Sequence, residues 1–533
     1  MAYELYVEQL NARSMRVYCD EECVHMELSD FFKYEDPNFQ PNRYSKWDGF
    51  VRLYDKKTGK MDVGLLEYLV KFCAANKYPL EVDPRLKNFR RVVMDEVHEY
   101  CDSLKLSRWD DGVAVPCTPY DYQYHGVERA LKLRRTVLLA DTGAGKSLMQ
   151  YILTRFYIDE YESDNNRNAK ILLLVPSVML VNQMQSDFDE YSQFNGWSVQ
   201  DNVHGITGGC SKLTRKRVVV STWQSIQDED ADYFDQFTHL ITDEVHGAAA
   251  AKISYICNNC INCYDRAGLT GTLHEEEMHK LQVQAHFGPI INVADTKLLQ
   301  KLGQASKTLV TMMNMDYSES DRQYAKNLDY PGEIEFITNH PYRNKIIETM
   351  GLTLKGNTLM LFDRIDHINE IYERLSAKKE HVYVINGDVK TDVRDQIKAI
   401  VEASEGGGYT ILASYGTMST GVSMKNLHNL VFCHPSKSIV RVLQSLGRLL
   451  RRHKSKDIAM IYDLVDNLRV KGGDANHAIR HGMKRHGFYT LKGHKLRMKR
   501  YNIAKSMPDD TRQEITKGNN KRKAAKAWRD SQK

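Results

Sequence analysis

The chain has 533 residues with 42% hydrophobic residues, ten cysteines and a net charge of +5. A chain of this length exceeds what one hydrophobic core serves, so several domains are expected. The apolar runs are only of strand length, which excludes a membrane span, and the charged N-terminus does not resemble a secretory signal. The cysteine content does not suggest a disulfide framework and favours a reducing, cytoplasmic setting.

Charge is unevenly distributed along the chain. Residues 471–533 contain 18 Lys and Arg against 5 Asp and Glu, so the preceding 470 residues carry a net charge of −8. Basic residues concentrated at one end of a mildly acidic chain indicate a polyanionic partner, most simply nucleic acid. A solvated tail explains the same composition equally well.

In chain order, residues 1–110 are predicted to form a separate α+β unit. Basic and aromatic residues are interleaved in its middle part, as on surfaces that bind nucleic acid. Trp47 is explained equally well as a core residue. The residues of this interleaved stretch are Arg43, Lys46, Trp47, Arg52, Lys56 and Lys57.

Two further blocks, residues 111–300 and 341–470, alternate apolar strand patterns with amphipathic helix patterns. Nearly continuous apolar strands separated by helices predict parallel sheets that are covered on both faces. Residues 301–340 are poorly patterned and are predicted to connect the blocks, and the basic segment 471–533 follows. The predicted strands are 136–140, 170–176, 217–222, 239–244 and 267–272 in the first block, and 358–363, 381–386, 410–415, 429–434 and 458–465 in the second.

The stretch ADTGAGKS, residues 140–147, lies between a strand pattern and a helix pattern and has Walker A spacing, with Ala140 in place of the first glycine. Its glycines allow backbone N–H groups to face a phosphate, and the following helix adds its positive N-terminal end. Lys146 is predicted to neutralise the β- and γ-phosphates of ATP, and Ser147 to ligate Mg²⁺. The predicted ATP-binding residues of this loop are Thr142, Gly143, Ala144, Gly145, Lys146 and Ser147.

A second motif, LITDEVH (residues 240–246), begins as an apolar strand and ends in paired carboxylates. Asp243 lies 97 residues after Lys146, at the strand end where ligands bind in parallel sheets. It is predicted to hold Mg²⁺, and Glu244 to orient and deprotonate the attacking water.

A third motif, QSLGRLLRRH (residues 444–453), belongs to the second block, which has no phosphate loop of its own. Arg448 and Arg451 are three residues apart and therefore share a helix face. Both are predicted catalytic residues that stabilise the γ-phosphate as it leaves. A solvated basic helix would also explain these arginines in isolation.

Six motifs taken together resemble those of superfamily 2 helicases, over roughly residues 115–465. In order, they are ADTGAGKS, PSVMLVNQ (176–183), TDEVH, LTGT (269–272), STGVS (419–423) and QSLGRLLR. Three further stretches resemble the recombination DNA helicases of T-even-type phages in particular. They are NRYSKWDGFVRLYD (42–55), ILASYGTMSTGVSMKNLH (411–428) and LLRRHKSK (449–456).

This resemblance implies an α/β fold with two tandem RecA-like parallel-sheet domains that bind ATP and Mg²⁺ between them. A small α+β N-terminal domain that binds nucleic acid and a basic, mainly helical C-terminal segment complete the expected architecture. Two departures from the family pattern are visible. Ser423 stands where many relatives carry Asp, which puts a nucleotide contact from that position in doubt, and GRLLR replaces GRxGR while keeping both arginines.

The resemblance also assigns roles to individual residues. Gln123 is expected to contact the adenine base of ATP, and Gly421 is also expected to bind ATP. Four residues are expected to couple hydrolysis to strand contact, namely His246, Thr270, Thr272 and Gln444. Contacts to the nucleic-acid backbone, which suit a motor that steps without reading sequence, are expected from Ser177, Gln183, Gly208, Gly209, Thr222, Arg364 and Thr420.

The function implied is an ATP-dependent DNA helicase that unwinds and branch-migrates Holliday junctions, stalled forks and R-loops in phage recombination, replication and repair, and that also anneals strands. Expected partners are branched or forked duplex DNA, single strands, RNA–DNA hybrids and a small accessory or single-strand-binding protein, in the host bacterial cytoplasm and without a membrane. One alternative is an RNA-dependent ATPase or RNA helicase, which the spelling DEVH and the phage resemblance disfavour. The other is a DNA-annealing protein with vestigial ATPase chemistry, which the intact motif residues disfavour.

The segment YICNNCINCYD (255–265) contains Cys257, Cys260 and Cys263 with the CxxCxxC spacing of some metal sites. Zinc and iron–sulfur sites normally need a fourth ligand, and only Cys210 and His274 are candidates. We therefore expect small buried residues here rather than a metal site.

Overall fold

The structure, a computed structural model, describes the chain apart from residues 1–3, 36–38, 40–46, 88, 111, 164–168, 250, 274–276, 405–406, 420–423, 425, 436–457, 504 and 532–533. It divides into two units, residues 1–294 and 295–533. Several positions named from the sequence lie outside the described residues. They are Arg43, Lys46, His274, Thr420, Gly421, Ser423, Gln444, Arg448 and Arg451.

The first hundred residues form the expected α+β unit around a mixed five-stranded sheet. Inward-facing residues alternate along its strands, so that Leu5 and Val7 of the first strand are fully buried. The strands are β1 (Leu5–Gln9), β2 (Ser14–Tyr18), β3 (Lys33–Glu35), β4 (Phe50–Arg52), β5 (Tyr54–Asp55), β6 (Lys60–Asp62) and β7 (Leu80–Val82), with sheet order β5-β6-β2-β1-β7 and a separate β3-β4 pair. The helices are α1 (Glu22–Phe31), α2 (Leu66–Asn76) and α3 (Met94–Ser103), and a hairpin of β8 (Ser107–Asp110) and β9 (Val113–Pro116) follows.

The first unit continues with an all-parallel seven-stranded sheet in the order β12-β13-β11-β14-β15-β10-β16. Its central strands are buried on both faces, which explains their continuous apolar sequences. The strands are β10 (Arg135–Ala140), β11 (Ile171–Val175), β12 (Val203–Ile206), β13 (Val218–Thr222), β14 (His239–Asp243), β15 (Asp265–Thr270) and β16 (Ile290–Ala294). The helices are α4 (Asp121–Leu133), α5 (Lys146–Ser163), α6 (Val178–Ser192), α7 (Val199–Asn202), α8 (Trp223–Ile226), α9 (Ala231–Phe234), α10 (Ala251–Asn259) and α11 (Glu277–Phe287).

The N-terminal α+β part packs directly on α11 of the parallel-sheet part. A Cβ atom at Gly64 would collide with the carbonyl oxygens of Gln284 and Ala285, so only glycine permits this approach. The Tyr68 hydroxyl donates to Gln284 Oε1 at 3.0 Å. The buried Arg135 guanidinium donates to the carbonyl oxygen of Ala12. These contacts tie the two parts of the first unit together.

The second unit contains another all-parallel seven-stranded sheet, in the order β19-β20-β18-β21-β22-β17-β23. The strands are β17 (Lys307–Asp316), β18 (Thr358–Phe362), β19 (Val382–Ile385), β20 (Thr410–Ser414), β21 (Asn429–Phe432), β22 (Ile458–Asn467) and β23 (Lys495–Asn502). The helices are α12 (Thr296–Lys301), α13 (Glu319–Ala325), α14 (Tyr330–Thr338), α15 (Pro341–Thr353), α16 (Ile365–Ser376), α17 (Thr391–Ala403), α18 (Tyr415–Ser419), α19 (His477–Leu491) and α20 (Asp509–Ser531). Two parallel sheets flanked by helices confirm the predicted fold class.

The stretch 301–340, predicted as a connecting segment, contributes β17 to the interior of the second sheet, between β22 and β23. Its strand pattern is hidden in the sequence because Lys, Thr and Asn interrupt the apolar run KTLVTMMNMD. The basic segment after residue 470 is mainly helical as predicted, but it also supplies the edge strand β23. Glu333 of α14 accepts hydrogen bonds from the backbone N–H groups of His477 and Ala478, which holds the start of α19.

None of the helices in the described part of the chain is both long enough and apolar enough to cross a membrane.

Candidate active site

The phosphate loop connects the C-terminal end of β10 to the start of α5. Gly143 and Gly145 have φ angles of +92° and +74°, which lie in the region that favours glycine. Lys146 begins α5, and its Nζ donates to the carbonyl oxygen of Ala140 at 3.3 Å. The loop therefore has the strand–turn–helix geometry in which backbone N–H groups and a helix N-terminus hold phosphate.

Gln123, the residue expected to contact the nucleotide base, is buried next to this loop. Its Nε2 donates to the carbonyl oxygen of Ala144 at 2.9 Å, and its Oε1 accepts the backbone N–H of Tyr120 at 2.9 Å. A Cβ atom at Gly145 would collide with the same amide. The structure therefore brings Gln123 and the phosphate loop together, and the contact requires glycine at position 145.

Each predicted Mg²⁺ ligand contacts a polar side chain that no motif includes. Ser147 Oγ lies 2.8 Å from the Tyr191 hydroxyl of α6. Asp243, at the end of β14, accepts a hydrogen bond from Gln150 Nε2 at 3.2 Å. Gln150 and Tyr191 are thus site residues that the sequence analysis missed. A buried glutamine one turn beyond Lys146 was the available signal for the first, and no sequence pattern marked the second.

Glu244 has a φ angle of +49°, a left-handed backbone conformation that is rare outside glycine and is often found at functional sites. Its carboxylate oxygen Oε2 lies 3.2 Å from His246 Nδ1 and accepts the Thr270 hydroxyl at 3.1 Å. Thr270 Oγ1 also lies 2.8 Å from the carbonyl oxygen of Thr272. A threonine hydroxyl has one proton, so Thr270 donates to one of these two acceptors at a time.

The paired carboxylates have opposite electrostatic surroundings. Burial, and then the negative charge of Glu244, raise the pKa of Asp243 above its usual range. Burial also acts to raise the pKa of Glu244, but the charge of Lys146 and the contact with His246 outweigh it and lower that pKa. Glu244 therefore stays ionised at neutral pH. A bound cation would stabilise the ionised form of Asp243 more than that of Glu244.

The residues present fit a magnesium ion. Ser147 and Asp243 offer hydroxyl and carboxylate oxygens, which are the ligands that Mg²⁺ prefers. Among the described residues, no group of three or more His, Cys, Asp or Glu side chains is placed to hold a metal. At nucleotide sites Mg²⁺ usually has one or two protein ligands, and water and phosphate oxygens complete its coordination.

The predicted backbone-contacting residues of the first unit follow other strands of the same sheet. Ser177 follows β11 and caps α6, Gly208 and Gly209 follow β12, and Thr222 ends β13 and caps α8. Because the C-terminal ends of parallel strands meet at one edge, these residues share the edge that carries the phosphate loop and Asp243. Gln183 lies exposed on α6.

In the second unit, Arg364 follows β18 and precedes α16, again at the C-terminal edge of its sheet. Thr420, Gly421, Gln444, Arg448 and Arg451 lie outside the described residues, so their predicted roles rest on the sequence.

The three clustered cysteines surround an arginine. The Arg266 guanidinium donates to the carbonyl oxygens of Cys257, Cys260 and Cys263 at 3.0, 2.6 and 3.1 Å. All three cysteines are fully buried, and burial raises the pKa of the Cys257 thiol to about 12. The raised pKa of Cys257 favours a packing role, because a metal ligand must be a thiolate.

Three family models match parts of the chain. Residues 7–83 match the family described as "DNA helicase UvsW, N-terminal". Residues 116–275 match "Type III restriction enzyme, res subunit", and residues 343–453 match "Helicase conserved C-terminal domain".

The ATP-dependent DNA helicase uvsW of Enterobacteria phage T4 is 32% identical over 508 residues, which cover 92% of this chain and 98% of that protein. The crystal structure of T4 UvsW is 31% identical and covers 94% of this chain and 100% of that chain, with a TM-score of 0.48. The ATP-dependent Type ISP restriction-modification enzyme LlaBIII bound to DNA is 14% identical, with a TM-score of 0.52 over 84% of this chain and 35% of its own, which shows a shared fold.

A third of the residues are thus shared with T4 UvsW along almost the whole length of both proteins. The chain belongs to the UvsW family of superfamily 2 DNA helicases.

Proposed function

We propose that the chain is an ATP-dependent motor that moves along DNA and unwinds and branch-migrates Holliday junctions, stalled forks and R-loops in phage recombination, replication and repair. The observation that carries the proposal is the connected site. Hydrogen bonds join Gln150, one turn beyond the phosphate loop, to Asp243, and Thr270 to Glu244, at one sheet edge in a chain of the UvsW family. The following steps derive from these residues.

In the first step, the chain binds ATP. The loop N–H groups and Lys146 hold the β- and γ-phosphates, and Gln123 contacts the base while remaining attached to the loop at Ala144. Ser147 and Asp243 would hold Mg²⁺, which when bound neutralises the charge that develops on the transferred phosphoryl group.

In the second step, Glu244 orients the attacking water. Its ionised carboxylate accepts a hydrogen bond from the water and then its proton, while His246 and Thr270 fix the carboxylate from the other side. Arg448 and Arg451 are proposed to supply positive charge to the departing γ-phosphate. Gly421 is proposed as a further ATP contact.

In the third step, hydrolysis is transmitted to the strand. The Thr270 hydroxyl has two possible acceptors, the Glu244 carboxylate and the carbonyl oxygen of Thr272. When the charge on Glu244 changes, the hydrogen bond within the Thr270–Thr272 turn therefore changes as well. Gln444 is the proposed counterpart in the second unit. The strand itself is held through its phosphates by Ser177, Gly208, Gly209, Thr222 and Arg364, which end or follow parallel strands, and also by Gln183 and Thr420.

Branched and forked DNA and single strands are the proposed partners, with RNA–DNA hybrids as further substrates and an accessory or single-strand-binding protein as a protein partner. Strand annealing is proposed as a second activity, and the host cytoplasm as the location. The basic composition after residue 470 supports a polyanionic partner.

The test is the ATPase rate without nucleic acid and with single-stranded DNA, single-stranded RNA or a four-way DNA junction, at one stated salt concentration. We expect the strongest stimulation by the branched DNA. Strongest stimulation by RNA would contradict the proposal in favour of an RNA helicase.

The matched variant is Lys146→Ala. It removes the phosphate-neutralising charge and leaves the binding surface intact, so unwinding and ATPase should fall to background while DNA binding stays within a few-fold of the parent protein. Loss of DNA binding together with ATPase would contradict this separation.

A further inference from the structure

A groove in the second unit lies outside every motif. It runs between α19 and the three neighbouring strands β22, β17 and β23, and its cavity has a volume of about 370 Å³. Met312 and Met498 form the floor, Met483 lies on the α19 side, and Asn467 and Arg469 lie at the end of β22. The groove is therefore apolar inside and polar at the strand-end edge.

The strand register shows which side chains of β23 face the groove. Met498 pairs with Met312, and Arg500 pairs with Asn314. Because side chains alternate between the faces of a strand, Met498 and Arg500 share the groove face, whereas Arg497 lies on the opposite face. Both arginines and Met498 are exposed, the methionine by 54%.

The groove is set in a strongly cationic segment. From Ala475 to Pro508 the sequence contains nine Lys and Arg and no Asp or Glu. Arg485 alone of the α19 cations is buried against Asp463. Among the described residues, no carboxylate lines the groove, where Arg469 and His486 are both exposed. A charge pattern of this kind fits an anion that also has an apolar part.

We propose that this groove binds one nucleotide of the second strand of a branched or forked DNA. Phosphate would lie against Arg469 and Arg500, and the base over the methionine floor. The volume is at the lower end of small-ligand sites, which suits a single nucleotide rather than a helix of a partner protein. Cations around an apolar floor match a nucleotide, which combines a phosphate charge with an apolar base face.

Position in the sheet separates the groove from the proposed path of the first strand. Arg364 follows β18, whereas Arg469 follows β22, two strands away, and Arg500 lies on β23, four strands away, in the order β18-β21-β22-β17-β23. At ~4.8 Å between neighbouring strands, these separations are ~10 Å and ~19 Å. Asn467 ends β22 and Arg469 follows it, so the groove lining reaches the C-terminal edge of the sheet, where Arg364 also lies, and a substrate with a second strand can reach both places at once.

This inference rests on the proposed function, since it assigns the second strand of its branched substrate. The test uses Arg469→Gln, Arg500→Gln and the matched control Arg497→Gln, which removes the same charge from the same strand on the opposite face. Affinity for a forked DNA and for a single-stranded oligonucleotide is measured by fluorescence anisotropy at several salt concentrations. Thermal unfolding confirms that each variant is folded.

We expect each groove variant to bind the forked DNA roughly five- to tenfold more weakly at 0.1 M salt. The salt dependence of this binding should also fall, by about one released counterion. Single-strand binding and single-strand-stimulated ATPase should stay within twofold, and Arg497→Gln should match the parent protein. Met498→Asp, which places a negative charge on the floor, should weaken fork binding at least as much.

Unchanged fork binding in all groove variants would overturn the proposal, and so would an equal loss in Arg497→Gln, because bulk charge would then explain the effect. Equal losses on fork and single strand would assign the groove to the first strand and also overturn it. The parent protein is assayed for fork unwinding in parallel. If the parent protein does not unwind the fork, the proposed function is contradicted. If the parent protein unwinds normally but the groove variants bind the fork as well as it does, only the proposed groove site is contradicted.

Discussion

Gln150 is fully buried one turn beyond the phosphate loop, and its amide donates to the carboxylate of Asp243. A carboxylate held in one orientation loses less freedom when it ligates a cation, and partners of metal ligands commonly change metal affinity 10–100-fold. Gln150 is therefore a positioning residue for the proposed Mg²⁺ ligand.

Gln150→Leu keeps a similar volume but removes the hydrogen bond to Asp243. We expect the Mg²⁺ concentration that gives half-maximal ATPase to rise about tenfold, with kcat at saturating Mg²⁺ changed much less. The Mg²⁺ dependence of fluorescent-ADP binding should shift in parallel. Nucleotide binding in EDTA serves as the control, and a shift of the same size there would contradict the assignment.

Tyr191 makes the corresponding contact to Ser147. Tyr191→Phe removes one hydroxyl, so we expect weaker Mg²⁺-dependent nucleotide binding by a few-fold, measured by titration. Tyr157→Phe is the matched control, because the buried Tyr157 hydroxyl has no hydrogen-bond partner among the described residues. If both variants behave alike, the Ser147 contact has no role in the site.

At the scale of elements, the N-terminal part is held on α11 through a backbone contact that tolerates only glycine. Gly64→Val would force a side chain against the carbonyl oxygens of α11, at a cost of about 1–3 kcal/mol. We expect a lower Tm and faster proteolysis near residues 83–113. Gly487→Ala on α19, where a Cβ atom meets open space, should instead stabilise the protein by about 0.5–1 kcal/mol.

A second element-scale contact fixes the start of α20. The buried Asp321 carboxylate accepts hydrogen bonds from Arg512, the backbone N–H of Met507 and the Ser318 hydroxyl, and it also lies close to His340. Burial alone would raise the pKa of Asp321, but these partners outweigh it and lower the pKa well below its usual value.

The lowered pKa of Asp321 determines how this residue changes the stability of the fold as the pH falls. Because the folded state binds the proton less readily than the unfolded state, Asp321 stabilises the fold above the unfolded pKa of about 4, and this contribution is lost as pH falls further. Asp321→Asn should cost about 2–3 kcal/mol at neutral pH and flatten the fall in Tm between pH 5 and pH 3. An unaltered pH profile would show that other groups control acid stability.

Sequence patterns predicted the buried central strands and the motif residues, because continuous apolar runs and short glycine loops are local features. They missed β12, β16 and β23, which lie at sheet edges where fewer residues are buried, and β17, whose polar interruptions are compensated by partners far away in the chain. Gln150 and Tyr191 were missed for the same reason, since their roles depend on which side chain the fold brings opposite them.

At the scale of the whole molecule, the first half of the C-terminal helix α20 packs on the second unit, and its second half is rich in Lys and Arg. Met507 and Ile515 belong to the core of the second unit, and Asn519 accepts the backbone N–H of Asp329. Residues 521–533 contain six Lys and Arg and one Asp. Truncation after Asn520 should therefore keep the core contacts and remove charge.

We expect this truncation to weaken DNA binding and reduce its salt dependence, with Tm and DNA-independent ATPase unchanged. Truncation after Lys505 provides the contrast, because it removes Met507 and Ile515 and should lower Tm. Unchanged DNA affinity in the shorter deletion would show that the tail is merely solvated.

The position of β17 inside the second sheet has a consequence for biosynthesis. Leu309 pairs with Lys495, 186 residues later, so β17 emerges from the ribosome long before its outer neighbour exists. At usual synthesis rates, this interval lasts roughly 10 to 40 s, during which β17 presents an unpaired edge. The first unit is already fully synthesised by then. Premature termination before residue 495 should thus yield a folded first half attached to an aggregation-prone remnant, and full-length production should depend on chaperone protection of that remnant.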